Sequence, residues 1–245
     1  MTYCIALIGA RSGSSLKDKN IRPLAGHPLI AYSILCALRA VNIHRVIVST
    51  DSPEYAEIAK SYGAEVPFIQ PAPTAGALSG DYPFIAHALD WMRVHDERLP
   101  DLIVHLRPTT PLREPGIIAA AVKTLEDNVV ATALRSVHEM PESAHKCFEI
   151  FGGYLRTMHT ESFELDAANR SRQAYPTTYH PNGYVDVLRT DFIRNSQLYG
   201  TRMIHGNRVI PFVTPPVIEA DTEEDFAMLE YQVGRDPHFT GRLFE

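Results

Sequence analysis

The sequence predicts an α/β fold, a mostly parallel sheet with helices on both faces. Three observations carry that prediction. Short continuous apolar runs alternate with amphipathic stretches four times within the first 137 residues. Each run ends in a polar loop rather than in a tight hairpin turn, as parallel strands joined by helices require. The chain has 245 residues, 45% hydrophobic and 21% charged, which is enough apolar material for one sizeable core.

The elements follow in order. Residues 3–9 form the first strand, and a polar loop then leads to residues 29–41, where Leu29, Ile30, Ser33, Ile34, Ala37, Leu38 and Val41 fall at helical spacing. Residues 44–49 read as a second buried strand, stopped by Thr50 and Asp51. Ser52 and Pro53 supply a cap and first turn for a helix reaching Tyr62, closed by Gly63. A helix over 81–97, a strand over 102–106, a rigid turn at 108–113, a helix over 114–128 and a strand over 129–137 continue the alternation. The rhythm then breaks. Runs at 148–151 and 154–158 around Gly152 and Gly153 predict a hairpin, and a polar, Arg-rich stretch follows to Pro181. Residues 184–188, 209–213 and a helix over 222–233 return to the core pattern. One domain over 1–245 is expected, with 139–180 inserted into it.

A formal net charge of −6, from 23 Lys and Arg against 29 Asp and Glu, argues against general nucleic-acid or anionic-membrane binding. The three cysteines, Cys4, Cys36 and Cys147, are far apart and suggest neither a disulfide framework nor a metal knuckle. Buried free thiols in a reducing compartment are expected. The first apolar run is too short for a signal peptide, and no window approaches the roughly 18 apolar residues of a spanning helix. A cytoplasmic protein with no nucleic-acid or membrane partner is the expectation.

In open α/β sheets ligands gather beyond the carboxyl ends of the strands, so the loops at 10–22, 50–52 and 107–113 are where chemistry is sought. Loop 10–22 concentrates Arg11, Lys17, Lys19 and Arg22 against one acid, Asp18. Gly13, with Ser12, Ser14 and Ser15 around it, allows backbone amides to form a concave nest, which suits a polyphosphate when cations stand beside it. Neither GxxxxGK[ST] nor GxGxxG is present, against a P-loop ATPase or an NAD enzyme. A solvated basic loop is the plain alternative. The tail from Glu219 to Asp225 holds five acids in seven residues, Glu219, Asp221, Glu223, Glu224 and Asp225, and a nucleotide with its metal ion would need both edges. If VIEAD is extended, Glu219 and Asp221 share a face and Ala220 points away, which suits Mg²⁺; the alternative is that Asp221 caps the last helix. Asp51 is placed either to touch a ribose or to cap a helix.

Five segments taken in order, ARSGSSLKDKNIRPLAGHPLIAYSI, RVIVSTDSPEYAEIAKSYGAEVPF, LRPTTPLR, RQAYPTTYHPNG and EADTEEDF, resemble those of the acylneuraminate cytidylyltransferases, also called CMP-sialic acid synthetases. The resemblance spans nearly the whole chain. The CMP-Kdo synthetases are similar in the second segment but match the remaining motifs less well. It implies a Rossmann-like nucleotidyltransferase of the nucleotide-diphospho-sugar transferase type, joining CTP to a sialic-acid-like 2-keto sugar acid with Mg²⁺ and releasing pyrophosphate. It also implies a homodimer, with 139–180 as the dimerisation arm reaching toward the partner's site through the stretch that carries Arg170 and Arg172.

Carried over residue by residue, the resemblance places Ala10, Arg11, Ser12, Gly13, Lys19 and Asn20 at the triphosphate and cytidine, with Gln70 and Asp81 also on the nucleotide. Arg107, Thr109, Arg172, His180, Asn182 and Gly183 fall toward the sugar acid. Glu219 and Asp221 match a metal-ligating pair, and Arg11, Lys19 and Asp221 match the catalytic positions. The departures are specific to this chain. The basic loop is one residue shorter between Arg11 and Lys19, with Ser15 where Lys is frequent, so Lys17 is expected to share the triphosphate. Gln70 stands where a base-contacting Arg is common, Asp81 where a Ser is, Arg107 where a Gln is, and His180 where an Arg is; Tyr184-Val185-Asp186-Val187 replaces a more usual AIYI. These changes imply an acid other than plain N-acetylneuraminate, with Kdo, a phosphonate, or a non-catalytic nucleotide-sugar-binding role as alternatives. A guanidinium fork at Arg107 suits a sugar carboxylate, whereas Arg113 is expected to pair with Glu114 or Asp51 and organise the turn. The histidines read as solvent or core residues apart from His180, the one inside a motif.

Overall fold

The computed structural model describes residues 2–13, 16–71 and 80–244. Ser14 and Ser15 of the basic loop lie outside the described residues. In chain order the elements are β1 (Cys4–Gly9), β2 (Pro23–Leu24), β3 (His27–Pro28), α1 (Leu29–Arg39), β4 (Arg45–Ser49), α2 (Pro53–Ser61), α3 (Tyr82–His95), β5 (Leu102–Leu106), α4 (Pro115–Glu126), β6 (Ala133–Glu139), β7 (Phe148–Phe151), β8 (Tyr154–Thr157), β9 (Tyr179–Arg189), α5 (Thr190–Leu198), β10 (Val209–Val213), α6 (Glu223–Arg235) and α7 (Pro237–Phe244).

Six strands form the central sheet in the order β10-β6-β9-β5-β1-β4. All neighbours are parallel except β9, which runs antiparallel between β5 and β6. Alternation within the strands feeds two cores. Cys4, Ala6, Ile8, Val46, Val48, Leu102 and Val104 face the side covered by α1, α4 and α6, while Ile5, Leu7, Ile47 and Ile103 face α3 and α5. Burial on both faces is why these runs are continuously apolar.

The sequence expectations hold for most elements and fail at identifiable places. The Ser52 side chain accepts from the Tyr55 amide with Pro53 in the first turn, as capping requires, and Gly63 closes α2 at φ +92°. The first long helix stops at Arg39, so Val41 lies beyond it and is exposed. The strand expected from residue 129 starts at Ala133, because Val129 and Val130 belong to an exposed turn after α4. The last helix is capped by Thr222, whose hydroxyl accepts from the Asp225 amide while the Asp225 carboxylate accepts from the Thr222 amide. Asp221 is therefore not its cap. The further helix α7 had no counterpart in the sequence reading; it packs Phe244 flat on His27.

β6 and β9 continue past the sheet as a two-stranded stem, with His138 opposite His180 and Glu139 opposite Tyr179. Residues 140–178 hang from this stem and include the β7–β8 hairpin. Cys4, Cys36 and Cys147 are free thiols, the first two buried and the third half-buried, which corrects the expectation of three buried ones. Burial pushes Cys4 and Cys36 up to about 12, so both stay protonated. Among the described residues no helix is long and apolar enough to cross a membrane.

Candidate functional site

The carboxyl ends of β1, β4, β5 and β6 meet the start of antiparallel β9 at one edge of the sheet. The loops singled out from sequence therefore converge there.

Loop 10–22 is pinned along its length. The Ala10 amide donates to Ser49 O at 2.9 Å, and the Ser12 amide and hydroxyl donate to Asp51 at 2.7 and 3.1 Å. Asp51 thus orders the loop, and the helix-capping alternative falls to Ser52. Asn20 donates to Arg11 O at 2.9 Å, and Tyr55 of α2 donates to Asp18, which sits in the left-handed region at φ 54°. Gly13 and Lys17 are exposed, whereas Lys19 and Asn20 are buried. Gln70 is buried, its side-chain oxygen accepting from the Ser49 hydroxyl and its backbone N–H donating to Thr50 O, beside the same loop.

The basic loop and the acidic tail meet. Lys19 Nζ lies 2.7 Å from Asp221 Oδ1, and Arg22 lies 2.7 Å from Glu223. The tail differs from the extended strand expected. The Asp221 amide donates to Glu219 O at 3.0 Å, closing a tight turn on Ala220, while the Ala220 amide donates to Thr109 O at 2.7 Å and its methyl enters the first core. Ala220 points inward as expected, yet the two carboxylates have different neighbours. Asp221 faces Lys19, and Glu219 packs against Gly183, where a Cβ would stand 2.9 Å from Glu219 Oε1 and 3.0 Å from Thr110 Oγ1. With φ at +62° as well, position 183 admits glycine for two independent reasons. Among the described residues no group of three or more His, Cys, Asp or Glu is arranged to hold a metal.

Among the described residues Arg113 has no carboxylate partner. The guanidinium, 1% exposed, donates to Tyr184 O at 2.5 Å, to Gly183 O, Arg107 O and Ser33 Oγ at 2.9 Å each, and to Thr110 O. The reason lies in β9. Its register against β6 jumps between Arg135 and Val137, so Asn182 to Val185 bulge out of the ladder, and their carbonyls need donors from elsewhere. Burial brings Arg113 down to about 10, still cationic at neutral pH. Asn182 is committed to the same bulge, donating to Thr214 Oγ1 at 2.6 Å and accepting from the Tyr184 amide at 3.3 Å.

Arg107 differs most from expectation. It stands at the carboxyl end of β5, but its fork already holds two carboxylates, Asp81 at 2.6 Å on one nitrogen and Asp186 at 3.1 Å on the other. Asp81 precedes α3 yet makes no capping bond, its carboxylate being turned to Arg107 instead. Asp186 is buried beneath, with His205 at 3.4 Å, Arg135 at 3.7 Å and His105 at 3.9 Å. Burial raises its pKa, but the nearby His205 ring and the charge of Arg107 outweigh it and hold Asp186 well below the usual carboxylate range. His105 is driven down to about 4, chiefly by its own burial and then by Arg107, and is neutral at pH 7. His105, expected as a solvent or core residue, is instead part of this charged cluster. The available signal was His105 and Asp186, each a lone polar residue inside an apolar strand, paired across β5 and β9.

His180 and Arg172 lie apart from these loops. His180 is exposed on the stem with its ring 5.6 Å from that of His138. Arg172 pairs with Glu139 at 2.5 Å at the root of the arm.

Comparison with known proteins points the same way. A family model described as Cytidylyltransferase matches residues 5–193. An N-acylneuraminate cytidylyltransferase of Escherichia coli is 35% identical over 203 residues, 81% of this chain but 43% of that protein. Post-translational flagellin modification protein B of Campylobacter coli is 27% identical over 95% of this chain and 96% of its own length. A CMP-N,N'-diacetyllegionaminic acid synthase of Legionella pneumophila is 38% identical over 49% of this chain and 51% of its own length. The chain thus spans about half or less of two of these relatives. Among solved structures, a CMP:2-keto-3-deoxy-manno-octonic acid synthetase complexed with CTP superposes with a TM-score of 0.67 at 16% identity, over 96% of this chain and all of that one. That likeness shows the fold.

Proposed function

The chain belongs to the cytidylyltransferase family, and from that premise we propose that it joins CTP to a sialic-acid-like 2-keto sugar acid, forming a CMP-sugar and releasing pyrophosphate. The observation that carries the reading is the contact between Lys19 and Asp221, which sets a basic loop and an acidic turn against each other at the ligand edge of the sheet. A nucleoside triphosphate with a divalent cation needs both signs of charge in one place.

The reaction is attack of a sugar hydroxyl oxygen on the α-phosphorus, in line with departing pyrophosphate. The protein's part is positioning and neutralisation of charge rather than covalent chemistry. Arg11, Lys19 and the nest at Ser12 and Gly13 take the triphosphate, with Asp51 fixing Ser12 and Asn20 fixing the backbone at Arg11. We assign Gln70 to the nucleotide and Arg107, Thr109 and Gly183 to the sugar acid, with Asp81, paired to Arg107, at the boundary between the two. Glu219 and Asp221 would hold Mg²⁺. Carboxylate oxygens are the ligands Mg²⁺ prefers, and the turn at Ala220 sets both residues beside the basic loop, where phosphate oxygens and water would complete the shell. When bound, that ion would spread the charge of the phosphates.

The arm is proposed to form a homodimer. Ile150, Phe151, Tyr154 and Leu155 are exposed on the hairpin and Met158 just after it, and among the described residues the hairpin pairs with no other strand. Across such an interface Arg172 and His180 would reach the partner's sugar. A cytoplasmic location is proposed from the free thiols and the nucleotide substrate.

The test mixes protein, Mg²⁺ and each of the four nucleoside triphosphates with a panel of 2-keto sugar acids and follows pyrophosphate. Release with CTP and at least one acid is expected. Release with another triphosphate in preference to CTP, or none with any acid, overturns the proposal.

A further inference from the structure

Resting on that reading of the site, we propose that Asp81, Arg107 and Asp186 form a pre-paired subsite that recognises a neutral polar substituent of the sugar acid, a hydroxyl or an acylamino group, with Asp186 as the positioning residue behind Arg107. An arginine at a sheet edge invites assignment to the substrate's carboxylate. The structure argues otherwise, because both terminal nitrogens of Arg107 already meet a carboxylate of the protein. A third carboxylate would enter a place where two are already present and would be repelled by both.

The anchor is Asp186. It is 1% exposed, lies on the antiparallel strand beside β5, and is ringed by Arg107, His205, Arg135 and His105. It cannot follow a ligand outward without leaving those partners. Arg107 is fixed at its backbone too, where its carbonyl accepts from Ser33 Oγ and from Arg113. The guanidinium is therefore held from below, while Asp81, with a side chain 33% exposed, completes the pair on the open side.

The pair remains chemically able to bind. A guanidinium carries five N–H donors, and its contacts with Asp81 and Asp186 account for two. A carboxylate has about four lone-pair sites, so Asp81 can still accept after meeting Arg107. One donor edge and one acceptor edge lie side by side, Asp81 offsetting the charge of Arg107 while Arg135 stands 3.7 Å from Asp186, and together they complement a group that both accepts and donates. Hydroxyl and acylamino groups do so; a carboxylate only accepts. Both members of the pair reach solvent, the Arg107 side chain being 22% exposed and that of Asp81 33%. Gly80 and Tyr82, the chain neighbours of Asp81, line an open cavity of about 560 Å³ with Gln197, Gly200 and Arg202.

The experiment compares wild type with Asp186→Asn, Asp81→Asn and the double variant Arg107→Gln/Asp186→Asn, which removes both charges and so guards against misfolding of the single variant. Pyrophosphate release gives kcat and KM for CTP and for acids that differ by one hydroxyl or acylamino group. Thermal melting and calorimetric CTP binding run in parallel. Asp186→Asn is expected to raise KM for the acid tenfold or more, leaving kcat and KM for CTP within about threefold. The penalty should shrink to threefold or less for the one acid lacking the recognised substituent. The double and Asp81 variants should show the same dependence on the substituent. A penalty equal for every acid, or equal for acid and CTP, overturns the subsite while leaving the proposed reaction standing. Wild-type protein that binds CTP and turns over no acid overturns the reaction and the subsite with it.

Discussion

Arg113 offers the sharpest quantitative test of how the site is built. Replacing it with Met keeps a long side chain but removes all five hydrogen bonds. Of the four carbonyls it serves, that of Arg107 also accepts from the Thr110 amide and the Ser33 hydroxyl, so three, those of Thr110, Gly183 and Tyr184, lose their donor. A buried acceptor left without a partner costs ~1–3 kcal/mol, which gives a gross loss of roughly 3–9 kcal/mol. Removing a buried cation returns part of that, because the desolvation that lowers Arg113 to about 10 no longer applies. A net destabilisation of about 3–5 kcal/mol is expected. Arg113→Lys should fall between, since an ammonium has three donors and no fork to span acceptors from residues 107 to 184. Urea unfolding at constant m-value measures it, with KM for the acid as the functional readout. Arg113→Met within 1 kcal/mol of wild type would show that the bulge carbonyls are satisfied without the guanidinium, and the account of the bulge would fail.

Three further outcomes follow from the geometry. Asp221→Asn should leave stability within about 0.5 kcal/mol, because Thr222 and Asp225 cap α6, while lowering turnover on the order of 100-fold with partial recovery at high Mg²⁺ or in Mn²⁺; normal turnover at limiting Mg²⁺ would remove the metal role. His105 is lowered from 6.5 to about 4 in the fold, so between those values the unfolded chain binds a proton that the folded protein does not, and stability falls as pH drops through that window by up to about 3 kcal/mol. A His105→Phe variant should lose measurably less stability between pH 6.5 and pH 4 than wild type in parallel melts, and identical curves would contradict the burial argument. Ile150→Asp/Leu155→Asp should convert a dimer to monomer by light scattering without lowering the melting temperature of the core; an unchanged mass would move the interface elsewhere.

Much of the fold is legible because burial on two faces writes itself as continuous apolar runs. β1, β4 and β5 are read from that pattern, and α2 from Ser52 and Pro53 at its start. Two features resist. The entry of β9 between β5 and β6 in the opposite sense is set by where the chain returns after the arm at 140–178, which no local pattern encodes. Val129 and Val130 look like strand residues but occupy an exposed turn, since apolarity reports burial only on average. The place of the site was readable from strand ends; the internal bonds of its members were not.

Arg107 and Arg113 show why. They lie six residues apart at the two ends of one turn, and sequence alone gives them similar chemistry. Arg113 becomes structural because β9 bulges at Asn182 to Val185 and exposes carbonyls to it, and Arg107 becomes paired because Asp186, three residues beyond Gly183, lands opposite His105 on the neighbouring strand. Both assignments are made by the same antiparallel strand, 70 or more residues away along the chain. The bulge and the aspartate are coupled. Without the extra residues at 182–185, strand alternation would shift relative to the stem, and Asp186 could not keep its face beside Arg107 while His180 stayed opposite His138. Gly183 is what lets the bulge form, through its positive φ and the close approach of Glu219. The specificity proposed for Arg107 and the acidic turn proposed for the metal thus depend on one glycine, and substitution there should disturb both ends of the site together.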